Sequence, residues 1–156
     1  MPTQKFRALF LDVDGVLTNG KVWIEPNGET NSTFSVKDGA AIQRLVNAGI
    51  TVGIISGRDS SYTRQRFEKL GCQFVETGVE EKLIVALKHS EANNIDADSI
   101  VYVGDDLIDL ECINKFFGVC PGDAHDEIKR ASKLVLEVGG GEDIIMRIEN
   151  KLFNGI

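Results

Sequence analysis

The chain has 156 residues, 42% hydrophobic and 26% charged, with a formal net charge of −7. That length suits one domain, residues 1–156, able to bury about 70% of its unfolded surface. The acidic balance argues against sequence-independent binding to nucleic acid or to an anionic membrane. No apolar run approaches the roughly 18 residues that a bilayer demands, and the N-terminus lacks the apolar core of a secretory signal, so a cytoplasmic protein is expected.

Residues 6–11 (FRALFL) are short and almost uniformly apolar, the pattern of a strand buried on both faces of a parallel sheet. That strand ends in Asp12-Val13-Asp14-Gly15. Carboxylates two residues apart on an extended backbone point the same way, so they repel. Residues 20–36 alternate around a PNGE turn signal and predict a β-hairpin over about 20–25 and 30–36. From Asp38 the period becomes helical: Ala41, Ile42, Leu45 and Val46 share a face, and Gly49 closes the helix.

A second buried strand follows at 50–56, then a helix over about 59–70 stopped by Gly71, a short strand at 73–76 and a helix at about 80–93. The strand predicted at 99–106 again ends in paired acids, Asp105 and Asp106. Beyond it the pattern gives a helix near 107–115, a strand at 117–120, a helix near 124–131, a strand at 133–136 and a last helix at about 142–153. This alternation predicts an α/β fold: an open, doubly wound parallel sheet with helices on both faces and a hairpin inserted after the first strand.

Ligands of such sheets bind beyond the carboxyl ends of the strands. Those ends carry Asp12 and Asp14, Ser56-Gly57-Arg58, and Asp105 with Asp106. A lone DxD also fits a solvated turn, but a second acidic pair at another strand end argues for convergence. Converging carboxylates cannot all stay ionised without a counter-charge. Mg²⁺ suits carboxylates, waters and a phosphate oxygen together. Cys72, Cys112 and Cys120 show no CxxC spacing and read as reduced thiols, while His89 and His125 make no zinc cluster and read as surface or capping residues.

DVDGV after an apolar strand resembles the first motif of the haloacid dehalogenase superfamily of phosphotransferases. IISGR (54–58) resembles its second motif, Lys82 its third and VGDDLID (103–109) its fourth. The resemblance implies that Asp12 is a nucleophile forming an aspartyl-phosphate and that Asp14 is the general acid and base. Ser56 would bind the transferring phosphoryl group and Lys82 would neutralise its charge. Asp12, Asp105 and the backbone carbonyl of Asp14 would hold Mg²⁺, with Asp106 and Asp109 as supports.

About 40 residues separate Asp14 from Ser56 and about 25 separate Ser56 from Lys82, too few for the cap domain of larger members. Within the superfamily the chain is similar to the uncapped 3-deoxy-D-manno-octulosonate 8-phosphate (KDO 8-phosphate) phosphatase subfamily, through DVDGVLTNG, FSVKDG (34–39), SGR and GDDLID. The resemblance implies a homotetramer whose hairpins reach toward neighbouring sites. It places substrate contacts at Ser35, Val36, Lys37, Asp38, Gly39, Ser56, Gly57, Arg58, Arg66 and Lys82. Gln43 and Lys37 stand where the subfamily carries arginines, and its longer C-terminal tail has no counterpart after GGGED. The sister activity on nine-carbon sialic-acid-type phosphates has glutamate at the position of Arg58. Other readings are a phosphatase of a sialic-acid-type nine-carbon or other sugar phosphate and an inactive homotetrameric scaffold related to nucleotide-sugar synthetase-fused domains, although a scaffold would be expected to have lost at least one of Asp12, Asp14, Ser56, Lys82 and Asp105. GGGE (139–142) reads as a flexible turn or as a loop near a neighbouring site. Arg66 shares a helix face with charged neighbours and also fits a solvated surface.

Overall fold

The computed structural model describes residues 5–153. Strand β1 (Ala8–Leu11) is buried at all four positions. Its alternation divides the core: Leu9 and Leu11 join one apolar cluster, Ala8 and Phe10 the other. A short antiparallel hairpin, β2 (Trp23–Ile24) and β3 (Thr30–Asn31), follows. Next come α1 (Val36–Asn47), β4 (Thr51–Ile55), α2 (Ser61–Lys69), β5 (Phe74–Glu76), α3 (Lys82–Ala92) and β6 (Ile100–Val103). The chain closes with α4 (Leu110–Lys115), β7 (Phe117–Cys120), α5 (Asp126–Ala131), β8 (Leu134–Val135) and α6 (Ile144–Leu152).

The main sheet has six parallel strands in the order β5-β4-β1-β6-β7-β8. The chain winds outward from β1 to β5, then returns to β6 on the other side of β1. That reversal opens a crevice at the carboxyl ends of the central strands. Leu11 lies opposite both Ile54 and Val103, so the residues after each strand emerge at one edge. Helices α1, α2 and α6 cover one face through Ala41, Ile42, Leu45, Phe67, Ile144, Ile145 and Ile148. Helices α3, α4 and α5 cover the other through Ala86, Cys112, Ile113 and Ile128. Among the described residues there is no cap domain, and no helix is long and apolar enough to cross a membrane.

The fold class is the one expected; several boundaries are not. The hairpin pairs only Trp23 with Asn31 and Ile24 with Thr30, far short of the strands expected to extend to residue 36. The following residues are diverted. Ser32 accepts a hydrogen bond from Arg58, and Ser35 caps α1 by accepting from the Asp38 amide, which starts the helix two residues before Asp38. The strand expected at 99–106 stops at Val103, because the amides of Asp105 and Asp106 donate to the Asp109 carboxylate. The helix expected at 107–115 accordingly opens as a 3₁₀ turn over Leu107–Asp109.

All three cysteines are free, with Cys112 and Cys120 buried and Cys72 half-buried. Burial pushes the thiols of Cys72 and Cys112 up to about 12, which leaves them unreactive. His125 caps α5, its Nδ1 accepting from the Glu127 amide at 3.2 Å. His89 stacks on Phe74, with ring centroids 3.6 Å apart.

Candidate active site

Asp12, the first residue beyond β1, is buried, and its Oδ1 accepts from the Val13 amide and from Lys82 Nζ, both at 2.8 Å. Lys82 opens α3 and is itself buried, so it is not a solvated helix-start lysine. Its ammonium also donates to Asp109 Oδ1 at 2.9 Å. Burial alone would pull Lys82 down, but the charges of Asp12 and Asp109 outweigh it and hold the ammonium above its ordinary range. Burial pushes the Asp12 carboxyl well up, and the nearby Asp109 charge adds to this against the pull of Lys82.

The Asp105 carboxylate offers an oxygen within 4.8 Å of one on Asp12. Burial, then contact with Asp12 acting the other way, then the charges of Asp109 and Asp106 leave it pushed up to about 6. Gly15 permits this approach: its φ is +81°, and a methyl group there would overlap the Asp105 carboxylate. Asp12, Asp105 and Asp109 offer oxygens within 4.8 Å of one another, a group that could hold a metal ion. Asp109, fully buried, has little capacity left. Its Oδ1 accepts from Lys82 and from the Tyr102 hydroxyl at 2.7 Å, and its Oδ2 from the amides of Asp105 and Asp106. Four donors fill the four lone-pair sites of a carboxylate. The Asp109 carboxylate is therefore fully engaged by protein donors.

Asp14 also lines the cleft, which measures about 250 Å³. Both its oxygens accept from Arg58, Nε to Oδ2 and Nη2 to Oδ1, each at 2.9 Å. The same guanidinium reaches Thr30 Oγ1 at 2.9 Å and Ser32 Oγ at 2.8 Å, tying the hairpin to the site. Gly57 and Asp106 line the cleft as well. Ser56 does not: it is buried at the end of β4, and its hydroxyl donates to the Arg58 carbonyl at 3.3 Å.

The stretch Ser35–Gly39 lies away from this cleft in its own chain. Ser35 Oγ donates to Asp143 Oδ1 at 2.7 Å, and the Lys37 ammonium comes within 3.9 Å of the same carboxylate. Val36 is fully displayed at 82% exposure. Asp38 turns inward, its Oδ1 accepting from the amides of Ile145 and Met146, so this carboxylate caps α6. Gly39 packs beneath the Arg66 guanidinium, which lies over the Phe34 ring at 5.1 Å. The GGGE turn braces the loop that follows β1 in its own chain. The Gly141 amide donates to the Val16 carbonyl at 2.9 Å, and a methyl group on Gly140 would overlap the Gly15 carbonyl.

No protein-family model matches the chain. It is 34% identical over 146 residues to the 3-deoxy-D-manno-octulosonate 8-phosphate phosphatase KdsC of Escherichia coli (strain K12), a match spanning 93% of this chain and 78% of that one. This chain belongs to the KDO 8-phosphate phosphatase family. The solved structures agree. The cobalt-bound deoxy-D-mannose-octulosonate 8-phosphate phosphatase of Haemophilus influenzae superposes with a TM-score of 0.91 at 31% identity, over 96% of this chain and 88% of that one. The Moraxella catarrhalis enzyme, in complex with magnesium, phosphate and KDO, gives 0.89 at 27% identity over 94% and 86%. Membership makes this protein a phosphatase, a phosphoric monoester hydrolase.

Tyr102, Thr30 and Ser32 are the site residues that the sequence reading missed. Tyr102 carried a signal, a single hydroxyl in the otherwise aliphatic strand IVYV. A tyrosine hydroxyl at such depth needs a partner.

Proposed function

We propose that the protein hydrolyses 3-deoxy-D-manno-octulosonate 8-phosphate to the free sugar acid and phosphate, through a phosphorylated Asp12 and with Mg²⁺ bound. The supporting observation is the buried Lys82 shared between Asp12 and Asp109 beside Asp105. Asp12 attacks phosphorus, the bond to the sugar oxygen breaks, and Asp14 gives its proton to the leaving alkoxide. Asp14 then takes a proton from the water that attacks the aspartyl-phosphate, which frees phosphate and restores Asp12. Lys82 offsets charge on Asp12 and on the phosphoryl group, since such transfer is mostly positioning and electrostatics. Ser56 serves the phosphoryl group once its hydroxyl turns from the Arg58 carbonyl. The carboxylates of Asp12 and Asp105 and the backbone carbonyl of Asp14 would hold Mg²⁺, which when bound neutralises phosphate charge; Asp106 and Asp109 support this set.

Arg58 and Arg66 are the cations offered to the sugar carboxylate. Ser35–Gly39 would meet substrate in a neighbouring subunit's site, with Asp38 shaping the stretch from within. We infer a cytoplasmic homotetramer in which hairpins pair across symmetry axes, burying Trp23 and Ile24, which are 72% and 68% exposed. A phosphate-release screen over sugar phosphates with Mg²⁺ tests the substrate. Preference for the eight-carbon acid is expected; preference for a nine-carbon acid or a neutral sugar phosphate would overturn the assignment.

A further inference from the structure

Arg58 stands between two cavities. On one side is the cleft of Asp12, Asp14 and Lys82; on the other is a cavity of about 270 Å³ between the hairpin and α2, lined by Phe34, Ser60, Tyr62, Thr63 and Arg66. Four hydrogen bonds hold the guanidinium where it is, two on Asp14 and one each on Thr30 and Ser32. Each Asp14 oxygen thus already accepts one hydrogen bond from Arg58, which fixes the orientation of the carboxylate. The pair is only part-buried, with side chains 28% and 32% exposed, so another carboxylate can compete for the fork.

We propose that Arg58 is a latch on Asp14, released by the carboxylate of the substrate itself. The inference rests on the reading of Asp14 as proton shuttle and of the substrate as a sugar-acid phosphate. A carboxylate entering the second cavity meets two guanidinium groups, Arg58 and Arg66. Arg66 has no acidic partner among the described residues: its Nη2 reaches the Ser35 carbonyl at 3.5 Å, and its buried Nε makes no hydrogen bond. Ser60, Tyr62 and Thr63, each bearing a hydroxyl, line the same space, a composition that suits a polyol. As Arg58 turns to the ligand carboxylate, Asp14 is freed to face the sugar oxygen. A neutral sugar phosphate binds with the latch closed, so discrimination appears in kcat as well as in KM.

The test compares KDO 8-phosphate with mannose 6-phosphate, both esters of primary alcohols, of which only the first carries a carboxylate. With Mg²⁺, the wild-type kcat should favour the sugar acid by about tenfold or more. In Arg58→Ala the kcat ratio should shrink to within about twofold, through a faster neutral substrate, while KM for the sugar acid rises. Arg58→Lys keeps the charge but cannot clamp two oxygens, so it should show the same kcat ratio with an intermediate KM. An unchanged kcat ratio in both variants, with KM alone moving, makes Arg58 an ordinary binding contact and overturns the latch. A second readout needs no turnover: the ¹⁵N resonance of Arg58 Nε–H in the wild type should move when phosphate-free KDO is added, and Asp14→Asn should move it without ligand. If KDO binds and the resonance stays still, the latch is wrong. Wild-type protein that hydrolyses neither ester refutes the substrate reading instead, and the effect of Asp14→Asn on that resonance then decides the latch.

Discussion

The Asp12 cluster and the hairpin are joined by one arginine, yet they are held in different ways. Around Asp12 the polar groups are buried and interlocked: Lys82 bridges two carboxylates, and Asp109 is filled by four donors. Removing one partner there strands the others in a medium that solvates charge poorly. The hairpin has two residue pairs, and its apolar side chains face solvent. Two-stranded hairpins of this kind are marginal alone. The contrast separates two demands on an uncapped site. Chemistry needs fixed charges, whereas the hairpin beside it is held to the site through Arg58.

The sharpest break is Asp12→Asn, which removes the proposed nucleophile and should lower phosphatase activity by at least about 1,000-fold. The protein should stay folded with an unchanged or higher Tm, because burial and Asp109 already disfavour charge at this position. Full turnover by the folded variant would sink the covalent mechanism. Asp109→Ala should instead strike stability, by about 3–5 kcal/mol, since Lys82 loses a counter-charge and Tyr102 and two amides lose their acceptor. A denaturant midpoint close to wild type would show that the network is not what stiffens the site. Asp14→Asn should keep Mg²⁺ affinity, the proposed metal contact being its backbone carbonyl, and turn over at least about 100-fold more slowly. A collapse of metal affinity would make Asp14 a side-chain ligand.

A gentler probe is pH. The Asp105 carboxyl is pushed up to about 6 from 3.8, chiefly by burial. A carboxyl raised in the folded state favours folding while protonated and costs stability once ionised. The metal-free protein should therefore lose on the order of 2–3 kcal/mol as pH climbs from about 4 to about 6, with the full cost above that. Mg²⁺ binds the ionised form, so its Tm gain should be larger at pH 7 than at pH 5. Thermal melts with and without Mg²⁺ across that range decide it; a gain independent of pH would remove Asp105 from the metal set.

The fold and the charged edge were legible because they are written in local pattern: a short, almost uniformly apolar strand, then acids at its end. Asp12 and Asp105 could be read that way; Asp109, inside VGDDLID, was reached only through the family resemblance. Asp38 could not, because its role depends on amides 107 and 108 residues further along the chain. The hairpin was over-read for a related reason. Residues 32–35 keep the alternation of a strand, but Ser32 is drawn to Arg58 and Ser35 to Asp143, 108 residues away. Local propensity lost to tertiary hydrogen bonds in both places.

The smallest expected effect on the protomer is the most telling for the hairpin. Trp23 is 72% exposed and lies outside both apolar core clusters, so Trp23→Asp should change protomer stability by no more than about 0.5 kcal/mol. Its consequence should be seen between chains. A carboxylate placed on each copy of a symmetric apolar contact is repeated at every interface, where like charges and lost burial act together. Sedimentation should therefore show smaller species at concentrations where the wild type is a tetramer. Without a neighbour over the site, KM for the sugar-acid phosphate should rise while Asp12 is still phosphorylated at close to the wild-type rate. The alternative result is equally readable: a Trp23→Asp protein that sediments like wild type and keeps its KM would mean that the hairpin serves its own chain alone, through Arg58.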